Sequence, residues 1–126
     1  MKIGIAVSVA ALIAATASLA SAQDAVGTWR CMMVGNIPLG TLTIAPGGDY
    51  TLQIAGNAFW EPNPADPGNG SGQLAESEGI LIPMSGPLLT EFEVMGEYWS
   101  EGERETIFWA AGGAELLQCW PADAAG

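Results

Sequence analysis

The chain has 126 residues, fourteen acidic against three basic side chains, a formal net charge of −11 at neutral pH, and no histidine. Such a surface repels phosphate, which excludes nucleic acid and anionic lipid as partners. Without imidazole there is no Ser-His-Asp triad, no histidine acid–base relay and no imidazole metal site.

Met1 and Lys2 precede an apolar run over residues 3–15, which gives way to small residues ending in Ala20-Ser21-Ala22. A basic start, an apolar centre and a small-residue site describe an export signal cleaved before Gln23. A membrane anchor would need about 20 strongly apolar residues, and no other stretch meets that requirement either. Residues 1–22 are therefore read as a signal peptide and 23–126 as one domain, long enough to bury a core. Lys2 leaves with the signal, so Arg30 and Arg104 are the only cations of the domain.

Most of the remaining chain reads as short strands and tight turns. Residues 41–44 and 50–54 alternate polar and apolar around the turn Ala45-Pro46-Gly47-Gly48-Asp49. This hairpin sets Leu42, Ile44, Tyr50, Leu52 and Ile54 on one inner face. Residues 61–72 carry three prolines and three glycines and are expected to be a loop. The apolar run 79–84 is a further strand, ended by Pro83 and the turn Ser85-Gly86-Pro87. Residues 90–99 alternate Glu91, Glu93 and Glu97 against Phe92, Val94 and Tyr98, which predicts a strand. A turn at 100–103, a strand at 104–110, the turn Ala111-Gly112-Gly113 and a last strand over 114–120 follow. Residues 115–118 are also compatible with a helical turn, too short to persist alone.

Cys31 and Cys119 are the only cysteines and stand near opposite ends of the exported domain. An even, isolated pair in an oxidising compartment reads as one disulfide. Closing so long a loop removes about 4–5 kcal/mol of unfolded-state entropy on the chain-entropy account. It also joins the first and last strands. The expected fold is all-β: an antiparallel barrel, or barrel-like sandwich, of about seven or eight short strands.

Gly27-Thr28-Trp29 opens the first strand directly after the signal, and this resembles the G-x-W motif of lipocalin-like (calycin) barrels. The resemblance implies that Trp29 closes one end of the barrel under a basic residue from the last strand. Residues 115–120 contain no such residue, which leaves Arg104 on the preceding strand. Size and export are also similar to the bacterial barrel inhibitors of secreted metalloproteases. That likeness implies a periplasmic or secreted bacterial protein.

Chemistry has few places to reside. No catalytic residue is expected, since both cysteines are spent in the disulfide and the domain lacks lysine and histidine. Glu91, Glu93, Glu97, Glu101, Glu103 and Glu105 read as a solvated face and an acidic turn. Calcium wants about six to eight oxygens, and no loop here has fixed ligand spacing, so no metal or cofactor is expected. Of five tryptophans, Trp29 and Trp109 fall at inward positions, whereas Trp60 flanks the long loop and Trp99 shares the glutamate face of its strand. Trp60 and Trp99 are the candidate ligand-binding residues. The expected function is a non-catalytic envelope protein, a monomeric barrel binding an apolar small molecule or a protein. Inhibition of a secreted protease and carbohydrate binding are the alternatives.

Overall fold

Turn chemistry sets the connectivity. The computed structural model describes residues 24–122; the predicted signal peptide lies outside the described residues. Eight strands follow one another: β1 (Gly27–Met33), β2 (Ile37–Ile44), β3 (Asp49–Ile54), β4 (Gly70–Ser77), β5 (Ile80–Pro83), β6 (Met95–Glu101), β7 (Arg104–Ala111) and β8 (Ala114–Pro121). A single helical turn, α1 (Pro87–Thr90), interrupts the run between β5 and β6. Glu78 and Gly79 form the two-residue β4–β5 loop, and Gly112 and Gly113 the β7–β8 loop, all four with positive φ. That backbone twist matches the twist of the flanking strands, so each strand returns antiparallel beside its predecessor.

The sheet closes. Each strand pairs with the next, and β8 returns to β1 with Trp29 opposite Pro121 and Cys31 opposite Cys119. The two cysteines are bonded, their Cα atoms 4.0 Å apart, and both are buried in the core. The predicted bond between first and last strands is therefore present. Disulfides of this kind form and persist in an oxidising, extracytoplasmic environment. No described helix is long and apolar enough to cross a membrane.

Period-two alternation fills the interior from every strand except β6, whose inward positions are Gly96 and the half-buried Tyr98. Trp29 and Cys31, Leu42 and Ile44, Tyr50, Leu52 and Ile54, Leu74, Leu81, Ile107 and Trp109, and Leu117 and Cys119 are all buried. An eight-stranded barrel is just wide enough for its own side chains to fill it, and aromatic rings occupy much of this one. The five inner-face residues expected of the β2–β3 hairpin take those places.

Two stretches differ from the sequence-based expectation. Residues 90–94 are not strand. Pro87, with its φ already suited to a helix, starts α1, and Glu93 adopts φ 51° before Val94 N–H donates to the Leu88 carbonyl at 3.1 Å. The alternation of Phe92 and Val94 thus reflects a turn that packs Leu88 and Val94 onto the core. Tyr50 fixes that turn from inside, donating to the Ser85 carbonyl (2.7 Å) and accepting from Leu88 N–H (3.0 Å). The other difference is at residues 70–72, read as loop but forming the start of β4 against β3. Residues 115–118, left open in sequence, are strand.

Close backbone approach makes Gly40 irreplaceable. It lies opposite Cys31 on one side and Ile54 on the other, and a Cβ there would sit 2.0 Å from the Gln53 carbonyl oxygen. A backbone atom cannot swing aside, so Gly40→Ala must spread β2 from β3. We expect a loss of about 3 kcal/mol, at the upper end of overpacking effects, readable as a lower urea midpoint.

Candidate functional site

Residues that alternate outward on β6, β7, β8 and β1 form a row across the barrel's outer face. Trp99 on β6 is opposite Thr106 on β7. One step beyond the Ile107–Cys119 pair, the same antiparallel ladder sets Thr106 beside Trp120 on β8, and Trp120 is opposite Arg30 on β1. Phe108 lies in the adjacent row, opposite Glu97 and Gln118. Neighbouring strands are about 4.8 Å apart, so the two tryptophans stand about 10 Å from each other with Thr106 between them.

Small Thr106 between large rings makes a groove. It has a volume of about 760 Å³, and its floor is Trp99, Thr106, Phe108, Gln118 and Trp120. Trp99 is 53% exposed, while the other large apolar side chains left open, such as Phe59, Met84 and Ile37, lie outside the groove. The β6–β7 turn forms the rim with Glu101, Glu103 and Arg104. Gly102 in that turn has φ 64°, which suits the first central position of a two-residue hairpin.

Glu105 stands where the groove meets a second, smaller cleft lined by Gly27, Thr28, Trp29 and Pro121. Its carboxylate accepts a 2.8 Å hydrogen bond from Tyr98 OH. Burial, then the hydrogen bond and charge of Glu105, push the Tyr98 phenol up to about 12. An unfolded tyrosine deprotonates near its ordinary value of about 10. Between these values the unfolded state binds fewer protons than the folded one. Stability is therefore full below about pH 10 and falls as pH rises toward about 12. Burial raises Tyr50 too, with the same sign. Thermal melts across that range should show a steeper alkaline fall for the parent than for Tyr98→Phe.

The sequence-predicted residues are dispersed around this face. Trp99 is in the groove. Trp60 is outside it, at the end of a small hairpin that continues β3 through the Ala55–Pro62 bridge. It adopts φ 65°, uncommon for a bulky residue, and the Arg30 guanidinium lies 5.5 Å from its ring centroid. Asn57 holds that tip, its Oδ1 accepting from Phe59 N–H at 2.9 Å, and leaves Phe59 84% exposed. Trp29 is buried, donates from Nε1 to the Ala25 carbonyl (2.9 Å), and meets Tyr98 edge-on at 6.3 Å between centroids. Arg104, the expected cover for Trp29, is exposed on the groove rim instead; on β7 it alternates with the inward Ile107 and Trp109. Gly27 has φ 142° and begins β1.

The partners of Trp99 were not singled out from sequence. Trp120 follows inward Cys119 and so had to face outward by alternation, a readable signal. Phe108 is placed the same way by Ile107 and Trp109. Their convergence with Trp99 depends on register. Among the described residues no three His, Cys, Asp or Glu side chains gather as a metal site. Compared with protein families, curated proteins and solved structures, the chain matches none.

Proposed function

We propose that this chain is an exported, non-catalytic binding protein of the bacterial periplasm or exterior, whose ligand lies across the outer face of β6, β7 and β8. The observation that carries this reading is the ligand-sized groove floored by Trp99, Phe108 and Trp120. Large aromatic rings left at an open surface supply contact area at little conformational cost. The interior, by contrast, holds Trp29, Tyr50, Trp109 and the disulfide. That favours an outer ligand over the enclosed apolar molecule that a lipocalin-like barrel implies.

The lack of histidine, of lysine outside the signal and of a free thiol supports a role without catalysis. Native mass spectrometry of protein purified from its own host tests the reading. A bound species is expected, and Trp99→Ala should reduce its occupancy. An apo monomer in repeated preparations, together with tryptophan fluorescence unmoved by any peptide, glycan or small-molecule panel, would overturn it.

Inhibition of a secreted protease is the second reading, favoured by the pre-shaped tip that presents Phe59. A fixed, exposed aromatic side chain enters a partner's pocket with little ordering to lose. Stoichiometric inhibition of a secreted protease, abolished by Phe59→Ala, would establish it; no inhibition across a protease panel would dispose of it.

A further inference from the structure

We propose that the occupant of the outer groove is a basic peptide segment of a partner protein, its Lys or Arg side chains laid on the tryptophan faces and its charges met by the β6–β7 turn. This rests on the groove being the binding site. Three observations select the ligand class.

The first is charge. The rim carries Glu101 and Glu103 against Arg104, with Glu105 at one corner and Glu97 beside Phe108. Neither Glu101 nor Glu103 is ion-paired among the described residues. The chain as a whole bears a net charge of −11, so its field draws cations and repels anions. A neutral glycan would leave these carboxylates without a partner of opposite sign.

The second is the pairing of carboxylates with open π faces. A guanidinium or ammonium over a tryptophan is attracted by the ring quadrupole, and its aliphatic stem covers apolar surface. The molecule already uses this contact on the same outer face, where Arg30 lies over Trp60.

Third come shape and topology. From the rim at Arg104 the groove runs along β7 to Phe108 and across three strands, space for about three or four extended residues. A volume of about 760 Å³ lies in the upper part of the usual ligand-pocket range, more than a slender polyamine fills. β7 and β8, which carry most of the floor, are each paired on both sides, so neither offers a free edge that could accept a peptide as an added strand. Recognition must then come from side chains on the outer face, where the aromatic rings and glutamates stand.

Titration calorimetry of the exported protein with tetra-arginine, spermine and the neutral hexasaccharide cellohexaose tests the assignment. Tetra-arginine should bind tightest. Trp99→Ala and the double variant E101Q/E103Q should each weaken it by about fivefold, and 0.5 M salt by about tenfold. All three positions of change are exposed, and thermal melts would confirm folding. Spermine binding as tightly as the peptide would overturn the peptide assignment. So would peptide binding indifferent to Trp99→Ala, which marks adhesion to net charge alone. Cellohexaose binding that is lost in Trp99→Ala, without peptide binding, would overturn this inference while leaving the groove as the site. Silence from every probe would count against both.

Discussion

Replacing both Cys31 and Cys119 with alanine lowers the free energy of unfolding by about 4–5 kcal/mol, because the bond closes a loop of 88 residues. For a domain of this size that corresponds to a fall in Tm on the order of 20 °C, and it removes a large share of the roughly 5–15 kcal/mol a domain commands. The bond joins residues already opposite one another in the β1–β8 ladder. Its loss therefore acts mainly on the unfolded chain, which regains freedom, and the barrel that does fold keeps its circular dichroism spectrum. Both sulfur-bearing residues are buried, so reductant should release no titratable thiol from the native protein until denaturant is added. A double variant as stable as the parent would mean that pairing of β1 with β8 alone holds the ends together.

Trp109→Ala is the second large effect. The side chain is fully buried, and its six-membered ring lies against β6 at Gly96, where a Cβ would come within 2.7 Å of it. Truncation opens a cavity between β6 and the core and should lower stability by about 3–5 kcal/mol in urea unfolding. Gly96→Val attacks the same contact from the other strand and should be similarly damaging. Trp109 Nε1 is buried without a hydrogen-bond partner among the described residues. Phenylalanine retains a ring against Gly96 and removes that unmatched donor, so Trp109→Phe should lose much less, about 1–2 kcal/mol. Equal losses for alanine and phenylalanine would show that the indole nitrogen has a role the packing does not reveal.

Where the chain alternates cleanly, its fold is legible residue by residue. Leu42, Ile44, Tyr50, Leu52 and Ile54 go inward because a period of two leaves them no other choice once one is buried. Legibility fails where side chains are missing or misleading. Gly70 and Gly72 show no alternation, yet β4 begins there because only glycine lets Ser85 and Gly86 pass so close: a Cβ on Gly72 would lie 2.1 Å from the Ser85 carbonyl oxygen. Residues 90–94 mimic a strand, but Pro87 and the hydrogen bonds of Tyr50 commit them to a turn that buries Val94 and leaves Glu91 and Glu93 exposed.

The candidate site divides along the same line. Trp99 is identifiable as outward-facing from its own strand, and Trp120 from its position after Cys119. Their meeting across Thr106 is not contained in either strand. The amino-acid sequence by itself determined the all-β class, the inner and outer faces of most strands, the acidity and the cysteine pair that shuts the barrel. These follow from local alternation, turn dihedrals and redox chemistry, which need no knowledge of neighbours. Only the tertiary structure decided that three outer aromatic side chains converge under a rim of glutamates. Convergence depends on the register of β6 against β7 and of β7 against β8, and register is fixed by how the inward residues pack in the closed barrel.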